Sequence, residues 1–290
     1  MTVVRSASTA LYALALEGQR FCCPRLQQGL VVRLLFIGDV FGRPGRTIVQ
    51  RLLPQLKAEL RPTVVVANAE NATHGTGMTR SAFEELSTAG VDIFTGGNHT
   101  LGKPEILDLM QEHPSVLCPG NVSPAIRRHG FVIWQTPDGP IAVVNVMGQY
   151  CMNGVDNPFR YMEEILCEPE IGAVRVKIVD FHAEATAEKA VMLRLLDGRM
   201  SAVLGTHTHV PTADARVTAA GTAFITDVGM TGVRSSIIGL DPEVMMRRFE
   251  TGIMYAPRVA EGDATLMAVV VDIDASTGSS TSITLLQRDH

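Results

Sequence analysis

Short apolar runs alternate with helical segments after residue 30, and this alternation restricts the chain to a small set of folds. Three runs have the near-continuous apolar character of buried strands: Val31–Asp39, Thr63–Ala69 and Val91–Thr95. Three segments between and after them have helical spacing: Thr47–Leu60, Ser81–Ala89 and Lys103–Glu112. Because strand–helix–strand units usually form parallel crossovers, this order predicts an α/β layered fold.

The second half of the chain has a mixed pattern. Phe131–Gln135 and Ile141–Val146 flank a Pro-Asp-Gly-Pro turn, which predicts a hairpin, and Thr186–Leu196 has helical spacing. Gly148–Pro169 has weak periodicity and predicts a long loop or a small lid. Further strands are expected at Val174–Phe181, Ala202–Leu204, Thr222–Thr226, Leu266–Ile273 and Ser282–Leu286. With no internal repeat and no linker, residues 31–290 are expected to form a single domain.

The first 30 residues differ from the rest. The apolar stretch Ala10–Leu16 is short and runs into Glu17, unlike the longer core of a secretory signal. We therefore expect an N-terminal extension at residues 1–30 that is either disordered or the product of a start codon assigned too far upstream. The five cysteines are scattered and odd in number, which is typical of reduced thiols in a cytoplasmic protein.

Charge and hydropathy exclude two classes of partner. Lys and Arg total 25 against 30 Asp and Glu, a net charge of −5, which argues against an extended nucleic-acid groove. No apolar run approaches the ~20 residues that span a bilayer, so no membrane partner is expected. A phosphate-bearing substrate stays compatible with this charge, because bound metal ions could supply the positive field.

Polar side chains follow five of the predicted strands at their C-terminal ends. In open α/β sheets, ligand sites lie beyond the carboxyl ends of the strands, so we expect the five clusters to converge at one sheet edge. The clusters are Asp39, Glu70-Asn71, Asn98-His99, Asp180 with His182, and His207-Thr208-His209. Alone, each has an ordinary explanation, such as a turn cap, a helix cap or a core histidine. Together they favour a ligand site.

The residue types in these clusters match metal chemistry. Carboxylate and carboxamide oxygens with imidazole nitrogens suit Mn, Fe or Zn, and the clusters contain no thiolate. These clusters offer more ligands than one metal ion needs if it is to keep a coordination position open for substrate. Their number suits two ions about 3.5–4 Å apart. His207 and His209 are at i and i+2, so on an extended chain both side chains would point the same way.

The order of these motifs resembles the calcineurin-like metallophosphoesterase superfamily. Two departures narrow the resemblance: Phe41 stands where the first block has His, and Glu70 followed by Asn71 stands where the second block has Asp. Both departures occur in a chain that also contains the strings FIGDVFGRPGR, NAENATHGTG, TGGNHT and TDVGMTG. In these features the chain is similar to the YmdB branch of bacterial phosphodiesterases. The resemblance implies a layered α/β/β/α sandwich and hydrolysis of phosphate esters, 2′,3′-cyclic nucleotides above all.

The resemblance also implies roles for individual residues. Asp39, Glu70, Asn71 and His209 would hold one metal ion, and Glu70, Asn98, His182 and His207 the second, with Glu70 as the bridge. His99 would not bind metal; it would act as the general acid while a metal-bridging hydroxide attacks the phosphorus. An amide oxygen in place of an imidazole makes the site harder, which favours Fe or Mn over Zn, as divalent or mixed-valence ions.

Two other classes stay open at this point. A regulatory RNA- or protein-binding module with a structural metal centre would have the same ligands but no turnover. A metal-dependent amidohydrolase also uses a His-x-His pair, but near the end of its first strand, whereas His207 and His209 come late. The substrate-binding residues are unassigned, and symmetric association into a homo-oligomer is common for such enzymes.

Overall fold

Strands from distant parts of the chain form two sheets. The computed structural model describes residues 30–289, so the prediction for the N-terminal extension lies outside the described residues apart from Leu30. The strands of the first sheet are β1 (Val31–Ile37), β2 (Asp39–Val40), β3 (Val64–Asn68), β4 (Ile93–Thr95), β11 (Met230–Val233), β12 (Ala264–Asp274) and β13 (Ser280–Asp289). Their order is β2-β11-β12-β1-β3-β4, and β13 pairs with β12.

The strands of the second sheet are β5 (Phe131–Thr136), β6 (Gly139–Met147), β7 (Val176–His182), β8 (Ala202–Thr206), β9 (Arg216–Val217) and β10 (Ala223–Ile225). Their order is β5-β6-β7-β8-β10-β9. The predicted hairpin is confirmed, since β5 pairs antiparallel with β6, and β6, β7 and β8 run parallel.

Helices cover the outer face of each sheet. Helix α1 begins at Gly42, five residues before the predicted start, and continues through Pro54. Helix α2 ends at a left-handed Gly90 with φ 108°, as its sequence predicts. The helices are α1 (Gly42–Leu60), α2 (Arg80–Ala89), α3 (Glu105–Glu112), α4 (Pro158–Cys167), α5 (Pro169–Gly172), α6 (Thr186–Leu196) and α7 (Pro242–Thr251), with 3₁₀ turns at Thr100–Gly102 and Pro124–His129.

Alternation along the strands divides the core into three layers. In β1, Leu34 and Phe36 face the second sheet, whereas Leu35 and Ile37 face α1 and α2. In β7, Ile178 faces the first sheet and Val179 faces α4 and α6. The predicted α/β/β/α sandwich is therefore confirmed.

The segment Gly148–Pro169 was wrongly predicted to be a loop or lid throughout. Its second half is helix α4, which begins at Pro158. The side chain of Asn157 caps this helix by accepting hydrogen bonds from two backbone N–H groups. Tyr161, Met162 and Ile165 of this helix are buried against the second sheet. Among residues 30–289, no helix is long and apolar enough to cross a membrane.

Candidate metal centre

The five polar clusters lie together where the two sheets meet. Asp39, Glu70-Asn71 and Asn98-His99 follow strands of the first sheet, whereas His182 ends β7 and His207 follows β8 in the second sheet. The expectation of a single sheet edge was wrong, because the clusters belong to two sheets packed face to face. The convergence itself is seen, and it depends on the sandwich.

One group of side chains surrounds the Nε2 atom of His182. This nitrogen lies 3.2 Å from Glu70 Oε1, 2.9 Å from Asn98 Oδ1 and 3.1 Å from His207 Nδ1. Glu70, His182 and His207 each place one ligand atom within 4.8 Å of the others. Since His182 Nε2 carries at most one proton, it can donate a hydrogen bond to only one of Glu70 Oε1, Asn98 Oδ1 and His207 Nδ1 at a time.

A second group lies beside the first and is joined to it by Glu70. Asn71 Nδ2 lies 3.1 Å from Glu70 Oε1 and 3.2 Å from His209 Nε2, and His209 Nε2 lies 3.8 Å from Asp39 Oδ1. Asp39 Oδ1 and Asn71 Oδ1 are buried oxygen atoms with no hydrogen-bond partner among the described residues. A buried, unpaired oxygen is costly in a folded protein, and a bound cation would satisfy both atoms.

The two histidines of the His-x-His motif do not lie on an extended strand. Strand β8 ends at Thr206, and the chain turns with φ 106° at His207 and φ 65° at His209. The premise of an extended chain at this motif was therefore wrong, although both side chains still lie in the cluster. The turn instead brings His207 to His182 and His209 to Asn71.

A buried network behind His182 fixes which ring nitrogen faces the centre. The Thr206 hydroxyl donates to Asp180 Oδ1 at 2.7 Å, while Thr95 and Asn68 donate to Asp180 Oδ2 at 2.5 and 3.0 Å. Because the only Thr206 hydroxyl proton is committed to Asp180, the Thr206 oxygen accepts from His182 Nδ1, 2.9 Å away. His182 Nε2 is therefore the nitrogen available to a ligand.

Burial and neighbouring charge shift the pKa values of these groups in opposite directions. Burial alone would raise the pKa of Glu70, but His182 outweighs it and lowers that pKa to about 2. Burial alone would lower the pKa of His182, but the attraction of Glu70 raises it to about 9. Burial raises the pKa of Asp39, and burial with the nearby charge of His182 lowers the pKa of His207 to about 3.

The donor set is suited to binding divalent metal ions. It combines two buried carboxylates, amide oxygens and three imidazoles, without a thiolate, and two of its oxygens have no hydrogen-bond partner within residues 30–289. All seven residues that the sequence nominated as ligands lie in this cluster: Asp39, Glu70, Asn71, Asn98, His182, His207 and His209.

A cavity of about 490 Å³ opens over the cluster. His99 lines it half-buried and is anchored by its backbone N–H, which donates to Glu70 Oε2 at 2.8 Å. The other wall is apolar and is formed by Phe41, Ile238, Leu240 and Pro257.

Phe41 occupies the position at which the superfamily resemblance implies a histidine. Its ring is 5% exposed and meets the ring of His209 edge-on, with the centroids 5.5 Å apart. Gly75 and Gly239 make room for it, because a Cβ on either glycine would lie within 2.6 Å of the Phe41 ring. The phenyl ring therefore packs the site rather than contributing a ligand.

Two residues that the sequence did not nominate also contact the cluster. Glu184 Oε2 lies 3.0 Å from His207 Nε2, and the Ile238 carbonyl lies 2.9 Å from His209 Nδ1. Glu184 stands two residues after His182, close enough to have been nominated. Nothing in the local sequence around Ile238 indicates its contact, because it depends on a loop from another part of the chain.

Most of this chain is similar to known proteins. A model of the YmdB-like protein family matches residues 35–286. The chain is 41% identical over 261 residues to a Bacillus subtilis protein named 2′,3′-cyclic-nucleotide 2′-phosphodiesterase, covering 89% of this chain and 98% of that one.

Two solved structures have the same architecture. A hypothetical protein from Thermus thermophilus has a TM-score of 0.84 at 39% identity and covers 89% of this chain and 100% of its own. A Mycoplasma pneumoniae protein described as a novel phosphatase has a TM-score of 0.84 at 33% identity, with 89% and 94% coverage.

Proposed function

This chain belongs to the YmdB-like family, and we propose that, as a metal-dependent phosphoesterase of that family, it hydrolyses 2′,3′-cyclic nucleotides with two divalent or mixed-valence metal ions. The convergence of seven oxygen- and imidazole-bearing side chains around two unpartnered buried oxygens is the observation that carries this proposal. The name of the Bacillus subtilis relative supports the choice of substrate.

The two groups of side chains suit two ions that share Glu70. Asp39, Asn71 and His209 would hold the first ion, and Asn98, His182 and His207 the second. Glu70 Oε1 contacts both Asn71 and His182, which places this carboxylate between the groups. When bound, such ions supply Lewis acidity toward phosphate oxygens and lower the pKa of a bound water. The amide oxygen of Asn71 favours Fe or Mn over Zn.

His99 is suited to protonating the leaving oxygen. Its backbone is fixed to Glu70, its ring is half-buried, and it lines the cavity. A positioned acid of this kind contributes typically about 10²–10⁴-fold to the rate.

The cavity volume fits a nucleotide-sized substrate. About 490 Å³ lies within the range of ligand pockets, which is roughly 300–1,000 Å³. The apolar wall formed by Phe41, Ile238, Leu240 and Pro257 would cover the base, while the polar floor faces the phosphate.

Reconstitution tests the proposal. Full-length protein is stripped with a chelator, reloaded with Mn²⁺, Fe²⁺ or Zn²⁺, and assayed on 2′,3′-cyclic AMP and on bis(p-nitrophenyl) phosphate. We expect hydrolysis of both with Mn²⁺ or Fe²⁺ and little in the stripped protein. Binding of metal without hydrolysis of either diester would instead support the regulatory module.

Two further predictions concern the setting of this activity. We propose a cytoplasmic location, because Cys118, Cys151 and Cys167 are free thiols in the described part of the chain. Association into a homo-oligomer also stays a prediction, which sedimentation of the purified chain would test.

A further inference from the structure

The loop that carries His207 and His209 has a backbone conformation that side chains with a Cβ atom rarely adopt. Both histidines have positive φ, 106° and 65°, and only Thr208 separates them. Such conformations persist only where the surrounding structure enforces them. Something must therefore hold this loop.

The carboxylate of Asp227 contacts the loop from behind. Its Oδ2 accepts the backbone N–H of Thr208 at 2.9 Å, between the two histidines, and its Oδ1 accepts the N–H of Gly229 at 2.9 Å. Asp227 is itself fixed, because its N–H donates to Thr212 Oγ1 at 2.9 Å. One side chain thus ties the His-x-His loop to the segment that follows β10.

Lys189 of helix α6 neutralises this carboxylate. Its Nζ lies 2.9 Å from Asp227 Oδ2, and the two side chains are 1% and 0% exposed. A buried charge without a partner would be strongly unfavourable, so the lysine allows a carboxylate to occupy this position. Neither residue lines the cavity over the cluster, and neither is among the predicted ligands.

We infer that Asp227, neutralised by Lys189, is a positioning residue that holds His207 and His209 in their ligating conformation before metal binds. This inference rests on the proposed function only in treating the two histidines as ligands. It adds that the geometry of two ligands on one loop is set by a buried ion pair that contacts neither imidazole.

The test measures metal binding rather than turnover. Chelator-stripped full-length Asp227→Asn is titrated with Mn²⁺ by calorimetry under conditions where circular dichroism shows it folded. Arg33→Met/Asp272→Asn is the control, because it also removes an ion pair, between β1 and β12. This pair lies near the start of β1, whereas the metal centre lies beyond its end. We expect Mn²⁺ affinity to fall about 10–100-fold in Asp227→Asn, as for other residues that orient metal ligands, and to stay unchanged in the control.

A second readout separates positioning from general destabilisation. Excess Mn²⁺ should restore turnover in Asp227→Asn, because the ligands are displaced rather than lost. Wild-type affinity in folded Asp227→Asn, or an equal loss in the control, would overturn the inference. Metal binding without hydrolysis by the wild type would refute the proposed function and leave this inference standing.

Two further measurements test the inference if Asp227→Asn does not fold. Lys189→Met/Asp227→Asn removes both charges and leaves no unpaired buried lysine, and the same affinity loss is expected. In the stripped wild type, the Thr208 amide should exchange slowly with solvent because it donates to a buried carboxylate. Fast exchange there would contradict a preformed loop.

Discussion

Metal binding to the stripped protein should release a proton from His182. Glu70 raises the pKa of His182 to about 9, so the imidazole is protonated on both nitrogens at pH 7 in the metal-free protein. Its Nδ1 proton is held by Thr206, so the Nε2 proton is the one that a metal ion must displace. The pKa of Glu70 is lowered to about 2 and that of His207 to about 3, so neither group needs to lose a proton.

The size of the effect follows from the pKa of His182. Deprotonating a group two pKa units above the ambient pH costs about 3 kcal/mol at pH 7, and this cost falls by about 1.4 kcal/mol per pH unit. As the pH rises toward 9, the falling cost of deprotonating His182 should therefore increase Mn²⁺ affinity about tenfold per pH unit.

The same pair sets the pH dependence of stability in the stripped protein. The pKa of His182 is raised from 6.5 to about 9, so its stabilisation is complete below pH 6.5 and is lost as the pH rises through 9. The pKa of Glu70 is lowered from 4.5 to about 2, so its stabilisation is complete above pH 4.5 and is lost as the pH falls toward 2. This pair therefore contributes most between pH 4.5 and 6.5, by about 3 kcal/mol.

Calorimetric titration with Mn²⁺ in buffers of different ionisation enthalpy measures the protons released. We expect release of about one proton per chain from His182 at pH 7, and an affinity that increases from pH 6.5 to 9. An affinity that does not change over this range, with no proton released, would refute the assignment of His182 as a protonated ligand paired with Glu70.

Three substitutions give further expected outcomes. Glu70→Gln should lose the paired metal content measured by elemental analysis, because it removes the charge between the two groups of ligands; retention of two ions per chain would contradict the bridge. His99→Ala should keep both metals and lower turnover on 2′,3′-cyclic AMP by about 10²–10⁴-fold, and full activity would exclude His99 as the acid. Ile238→Gly should change the free energy of unfolding by no more than about 1 kcal/mol, because relief of the backbone strain at φ 48° offsets the greater conformational entropy of glycine in the unfolded chain. The variant keeps the backbone carbonyl that faces His209, so its Mn²⁺ affinity should not change. Loss of Mn²⁺ affinity would show that the Ile238 side chain supports the metal centre.

Local patterns in the sequence identified most of the strands and the ligand candidates. Polar residues directly after a buried strand are informative because parallel strands end at the same edge of a sheet. Asp39, Glu70 and His182 were found in this way, and the structure brings them together.

What the sequence could not provide depends on contacts between distant segments. Division of the strands between two sheets follows from which faces pack together, and apolar runs alone do not specify it. Helix α4 was missed because its buried residues are few and prolines flank it, although Asn157 before Pro158 is a recognisable helix start. Beside the left-handed turn at His207, the N–H of Thr208 donates to Asp227, and this contact joins residues that are far apart in the sequence.

A crystal structure of the manganese-loaded protein with anomalous diffraction tests most directly whether two ions share Glu70. We expect two anomalous peaks about 3.5–4 Å apart. One peak should contact Asp39, Asn71 and His209, the other should contact Asn98, His182 and His207, and both should contact the Glu70 carboxylate. A single peak, or two peaks of which only one touches Glu70, would contradict the shared centre.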